Sequence, residues 1–117
     1  MTTLTTDLDR NLDLFVQETS ETKLVWGLCS PEEEWLIIDS IQYENAEVMP
    51  FWSSEKMALE HCVEEWSDFS PQSIPLDMFL QDWMVTFTED ETLVGLNWNL
   101  NLEGEELEPE MISRLFV

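Results

Sequence analysis

Carboxylates are the groups this chain supplies most freely for chemistry, and the first arrangement that could use them lies near its start. Asp7, Asp9, Asn11, Asp13 and Glu18 occupy positions 1, 3, 5, 7 and 12 of an EF-hand calcium loop, with Leu14 as the apolar residue at position 8. Position 6 breaks the pattern, because the loop needs Gly there for its sharp turn and Leu12 stands in its place. Leu12 also belongs to a series with Leu8, Phe15 and Val16 at helical spacing, and a helix would scatter the carboxylates around its axis. The spacing therefore predicts an acidic helix start rather than a calcium site. Soft metal ligands are confined to Cys29, His61 and Cys62, without CxxC or HxxxH spacing. His61 and Cys62 are adjacent, so on a helix their side chains diverge by about 100°. A Cys29–His61 nucleophilic pair would depend wholly on the tertiary fold. Carboxylate pairs for acid–base work carry no information among 26 acidic residues, since some pair always lies at a suitable distance. Neither a glycine-rich phosphate loop nor a GxSxG elbow occurs. No catalytic, cofactor-binding or metal-ligating residue is assigned, and no cofactor is expected. The Glu103 to Glu110 run is a looser cation candidate that reads more simply as a solvated acidic edge.

The charge is the sharpest property of the chain. Twenty-six Asp and Glu against four Lys and Arg give a net charge of −22 over 117 residues. Mass scaling gives a folded surface of roughly 6,600 Å², or about one net charge per 300 Å². Evenly spread, neighbours would sit ~17 Å apart, beyond the ~8 Å Debye length, so only clusters repel strongly. The clusters are Glu32, Glu33 and Glu34; Glu64, Glu65 and Asp68; Glu89, Asp90 and Glu91; and Glu103, Glu105, Glu106, Glu108 and Glu110. Arg10, Lys23, Lys56 and Arg114 are too few to neutralise any of them. Direct binding to nucleic acid or an anionic membrane is opposed, because both rely on Lys and Arg. A basic protein partner, or imitation of nucleic acid, is favoured, with a merely solubilising acidic surface as the plain alternative.

An apolar fraction of 44%, with six Trp and six Phe, excludes disorder throughout and supplies a core for one domain. No apolar run approaches the ~18 residues of a membrane span, and Met1 to Asp7 lacks the basic and apolar regions of a signal peptide. A cytoplasmic protein is expected, and two cysteines suit a reducing compartment.

These groups must be positioned by elements that periodicity outlines. A helix is predicted near 7 to 20, with early aspartates at the positive end of its dipole. Lys23 to Cys29 and Glu34 to Ser40 read as strands of a hairpin, with Trp35-Leu36-Ile37-Ile38 apolar on both faces. A short strand follows at Ala46 to Phe51, then a helix capped by Ser53 or Ser54 and reaching about Trp66. Ser67 to Ser73, with Pro71, reads as a loop, and Pro75 or Leu76 to Phe87 as a helix whose stripe is Leu76, Phe79, Leu80, Trp83 and Phe87. Thr92 to Glu103 alternates most regularly, placing Val94, Leu96, Trp98, Leu100 and Leu102 on one face and Asn97, Asn99 and Asn101 on a polar face. Gly104 offers a turn, and Pro109 opens a last short helix.

From Trp26 to Leu107 the sequence resembles a family of small bacterial proteins catalogued as domain of unknown function 2750. The carrying residues are Val25-Trp26, Pro50-Phe51-Trp52-Ser53, Ala58, Trp66, Leu76, Phe79, Trp83, Val94-Gly95, Asn97-Trp98 and Glu103-Gly104. Ser53 replaces the family's usual Pro after the tryptophan. The resemblance implies a single α+β domain and no activity.

The expected fold is a single α+β domain over 1–117, a mainly antiparallel sheet of about four strands packed with helices. The expected function is a non-catalytic acidic interaction protein that masks a basic surface of a partner protein, such as an immunity or inhibitor protein for a nuclease or other nucleic-acid-binding toxin. Alternatives are a nucleic-acid mimic that inhibits a defence complex, and a small enzyme or carboxylate metal-binding protein. The expected contact surface is Glu32, Glu33, Glu34, Glu64, Glu65, Glu105, Glu106 and Glu108, with Trp35 and Trp52 as partly exposed aromatic anchors.

Overall fold

A computed structural model describes residues 8–40, 43, 46–63, 66–99 and 104–116. Helix α1 (Leu8–Thr22) buries Asn11, Phe15 and Thr19, a stripe at helical spacing that includes two polar residues. It ends where Lys23 turns into the left-handed region at φ 64° and donates its N–H to the Thr19 carbonyl at 2.8 Å. The helix runs through Asp9, Asn11, Asp13 and Glu18, so these positions of the calcium-loop pattern are wound as helix, while Asp7 lies outside the described residues.

Strand β1 (Leu24–Cys29) does not take its ladder from the segment that follows it. Its antiparallel partner is β4 (Ser70–Pro75), from Leu24↔Pro75 to Cys29↔Ser70. The Ser67 to Ser73 loop is thereby corrected in its second half to a strand. Pro71 and Pro75 are tolerated because β4 is an edge with a single partner. The predicted strand Glu34 to Ser40 shrinks to a bridge between Trp35 and Cys29 and to β2 (Ile38–Asp39). Ile37 in that run is 43% exposed, so the stretch is not covered on both faces.

A four-stranded sheet in the order β2-β3-β5-β6 joins β3 (Glu47–Phe51), β5 (Leu93–Leu96) and β6 (Glu105–Leu107) to β2. Its outer pairs are antiparallel, and β3 and β5 run parallel in register Val48↔Leu93 to Phe51↔Leu96. The fold is α+β, its sheet mainly antiparallel and packed with helices. The central strands are nearly all apolar and buried, as strands covered on both faces must be. The β2 ladder stops at Val48, two residues short of Pro50, which has no N–H to offer it. Reciprocal bonds between Trp26 and Trp52, at 2.9 and 2.7 Å, tie β1 to the end of β3.

Ser54 caps α2 (Glu55–Glu60) by accepting from the Met57 N–H at 3.2 Å, and His61 closes it, so the helix stops short of the predicted Trp66. Helix α3 (Leu76–Met78) passes through a π-helical turn (Phe79–Trp83) into α4 (Met84–Asp90). This run turns Phe79, Trp83 and Phe87 onto Phe51, with ring centroids at 4.9, 5.9 and 6.0 Å. Edge and tilted packings of this kind contribute about 0.5–1.5 kcal/mol each beyond area burial. Helix α5 (Pro109–Leu115) adds Ile112 to the same core. A second core under α2 gathers Leu28, Leu36, Trp52, Met57 and Ala58.

Among the described residues, the most regular alternation of the sequence yields the four residues of β5. Asn97 takes φ 50° and ends the strand, while residues 100–103 lie outside those described. Asn97 and Asn99 are buried rather than forming a solvent face, and Asn101 lies outside the described residues.

Candidate functional site

Beneath the surface the fold assembles a polar constellation that resembles catalytic machinery in its residue types. The Ser53 hydroxyl donates to Glu18 Oε1 at 2.6 Å, and the Ser53 N–H donates to Asn97 Oδ1 at 2.9 Å. Asn97 Nδ2 donates to the Ser53 hydroxyl at 3.0 Å and to the Asn11 carbonyl at 3.1 Å. Nearby, His61 lies against Trp52 with ring centroids 4.5 Å apart. Its Nδ1 is 2.8 Å from the Met57 carbonyl and its Nε2 is 3.0 Å from the Asn99 carbonyl. A neutral imidazole has one N–H and serves one carbonyl, whereas a doubly protonated ring serves both. Ser53 and His61 are 1% and 4% exposed, and their polar atoms are engaged in these contacts. The arrangement joins α1, the β3–α2 turn and the segment after β5, which is a structural task. His61 is thus a buried cap at the end of α2.

The thiols offer little reactivity. Burial pushes the Cys29 thiol above its usual value, with Glu33 adding to the effect, and burial likewise raises Cys62. Among the described residues, no group of three or more His, Cys, Asp or Glu is placed to hold a metal ion.

The acidic residues divide by environment. Glu32, Glu33 and Glu34 are exposed around a turn fixed by Ser30, whose N–H donates to the Glu34 carbonyl at 2.8 Å and whose hydroxyl accepts from the Glu34 N–H at 3.2 Å. Trp35 follows them but is half-buried, edge-on to Trp83 at 4.9 Å and lying over Gly27. A Cβ on Gly27 would sit 2.8 Å from Trp35 Cζ3, so this approach needs glycine. Trp52 is corrected from a partly exposed anchor to a core residue: it is 0% exposed, and its Nε1 donates to the Trp98 carbonyl at 3.0 Å. Glu106 is likewise removed from the contact surface, because it is buried and accepts the Ser40 hydroxyl. Glu64 and Glu65 lie outside the described residues, and Glu105 is placed only by its backbone in β6.

Glu108 is exposed and is drawn into a feature that sequence reading missed. A cavity of about 350 Å³ opens between the end of α4 and the β6–α5 turn, with Phe87, Leu93 and Pro109 as apolar walls and Glu91, Glu108 and Glu110 around them. A trough of about 460 Å³ runs along α4, sharing Thr88, Pro109 and Glu110 with that cavity. Leu80, Met84 and Val85 give the trough its apolar lining, and Glu89 lies at its edge. The sequence carried a trace of this feature in Val85, an apolar residue outside the helix's core stripe and 58% exposed. Glu110 also pairs with Arg114 at 2.8 Å, an exposed i,i+4 bridge of little energetic weight. The Glu32 to Glu34 turn lines neither hollow.

Among the described residues, no helix is long and apolar enough to cross a membrane. No curated protein and no solved structure matches the chain. The match to a family model is wider than the resemblance read from the sequence, reaching from within α1 to the end of α5. Over residues 12–115, the chain belongs to the DUF2750 family, described as proteins of unknown function.

Proposed function

We propose that this protein is a non-catalytic acidic binding module of the cytoplasm that covers a basic surface on a partner protein. An inhibitor or immunity protein for a nuclease, or for another nucleic-acid-binding toxin, is the instance this reading favours, because the substrate site of such a partner must be basic. The reading rests on the placement of exposed carboxylates. Glu91, just after α4, lines an apolar hollow together with Glu108 and Glu110, and Glu89 lines the adjoining trough with Glu110, in a chain of net charge −22. Carboxylates around apolar surface combine electrostatic steering with area that can be desolvated, which is how charged partners meet quickly and then hold. Nucleic acid and anionic membranes are disfavoured as direct partners by the same charge.

The test is a pull-down with the tagged protein from lysate of the source cells, treated with nuclease and washed at ~0.1 M or ~0.5 M salt. A specific basic protein retained at low salt and depleted at high salt supports the reading. Retention of nothing specific at low salt overturns it.

A further inference from the structure

We propose that the trough along α4 receives a basic amphipathic helix of the partner protein. This inference rests on the reading of the protein as an acidic binding module and specifies where and by what shape it binds.

Leu80, Met84 and Thr88 recur at i+4 on α4 and the π-helical turn before it, as do Gln81, Val85 and Glu89 in the next row. Two adjacent rows therefore run along one side of the helix for eight residues, about 12 Å. Pro109, at the start of α5, lies across from them and makes the far wall. The hollow is thus an elongated apolar trough with a volume of about 460 Å³, and Val85 stands 58% exposed within it. A helix whose apolar residues recur at i, i+4 and i+7 fills such a trough, whereas a flat basic surface would leave its floor in water.

Charge complementarity selects the occupant. Glu89 and Glu110 flank the trough, and Glu91 and Glu108 lie in the cavity that continues it. The carboxyl end of α4 adds the negative pole of the helix dipole, with no basic residue in its last turn. Lys and Arg on both sides of an incoming apolar stripe meet these groups. A second copy of this chain is disfavoured, because it would bring a second charge of −22 against the same rim.

The test uses two fluorescein-labelled synthetic peptides of one composition, rich in Leu, Lys and Arg. One is arranged as an amphipathic helix and the other is scrambled so that no apolar face forms. Binding to the full chain is followed by anisotropy at ~0.1 M salt, where charges are only partly screened. Val85→Asp is the informative variant, since it removes apolar surface yet adds a negative charge, and a purely electrostatic interaction would tighten. The expected result is that the amphipathic peptide binds more tightly than the scrambled one, that Val85→Asp weakens it at least tenfold, and that Val85→Leu retains it. Equal binding of both peptides, or an amphipathic peptide unaffected by Val85→Asp, overturns the trough assignment and leaves the acidic-module reading standing. Failure of both peptides to bind overturns both.

Discussion

The side-chain amide of Asn97 donates to the main-chain carbonyl of Asn11 at 3.1 Å, across 86 positions of sequence. The same side chain accepts the Ser53 N–H at 2.9 Å and donates to the Ser53 hydroxyl at 3.0 Å, while its own N–H donates to the Phe51 carbonyl at 2.9 Å. Asn97 is fully buried and holds φ 50°, a region that Asn enters more readily than most residues. One side chain therefore ends β5, fixes the β3–α2 turn and anchors α1.

Replacing Asn97 tests that role. Asn97→Ala leaves the buried Ser53 N–H without its acceptor and keeps the left-handed backbone, and should cost about 2–4 kcal/mol. Asn97→Asp keeps the acceptor but loses both donated bonds and places a carboxylate beside a hydroxyl already bonded to Glu18, so it should be at least as damaging. Urea unfolding of both variants is the measurement, and a change within ~0.5 kcal/mol for Asn97→Ala would show that the cluster is not the staple described.

A second constraint lies in the close approach of two glycines to Trp98, which is 1% exposed. A Cβ on Gly95 would stand 2.6 Å from its Cε2 and Cζ2, and one on Gly104 would press on its Cδ1 more closely still. Gly95→Ala and Gly104→Ala should each lose about 1–3 kcal/mol, with Gly104→Ala the worse. Combining Gly104→Ala with Trp98→Leu should cost less than the sum of the two single changes, because the clash is shared. Thermal melts of the four variants decide it, and strict additivity would refute the contact.

The elements that sequence reading located are those with local causes. Helix α1, strands β1 and β3, and α5 follow from periodicity and from Pro at a helix start. Strand β4 was hidden because Pro71, Pro75 and the serines around them have turn chemistry, while their tolerance comes from a tertiary fact, an edge position beside β1. Alternation past Leu96 was genuine in sequence, yet it cannot report that Asn97 leaves the extended region. Trp52 and Glu106 were misplaced for a related reason: neighbours along the chain suggested exposure, and partners brought by the fold, Trp26 and His61 for one and Ser40 for the other, bury them. The acidic trough is a relation between α4 and the β6–α5 turn, so only its charges and the off-stripe Val85 were legible.

Glu91 breaks two local rules at once. It holds the left-handed conformation after α4, at φ 57°, where Gly is preferred, and it sets a carboxylate at the negative end of a helix. The Thr92 N–H reaches the Phe87 carbonyl at 2.9 Å, which completes a Schellman-type ending. Glu91→Gly should therefore stabilise the fold by about 1 kcal/mol, the left-handed penalty and the dipole repulsion outweighing the added freedom of the unfolded chain. A rise in melting temperature, larger at low salt than at high salt, is the expected outcome. A fall would mean that the Glu91 side chain contributes contacts that outweigh both penalties.

The raised thiols give a prediction in pH. Burial holds Cys29 and Cys62 above the ordinary value of 9.0, and Glu33 adds to the shift at Cys29. Both should therefore alkylate slowly with iodoacetamide at neutral pH in the folded protein and faster once urea unfolds it. Glu33→Gln removes a neighbouring negative charge, so it should lower the Cys29 value and speed its alkylation while leaving Cys62 unchanged. The stability sign follows from linkage: the unfolded chain releases these protons first, so the thiol contribution is fully present below pH 9.0 and is lost as pH rises through the higher native values. Urea midpoints at pH 8 and pH 10 should fall further for the natural sequence than for a Cys29→Ala, Cys62→Ala variant. Equal falls would place the alkaline loss on other groups.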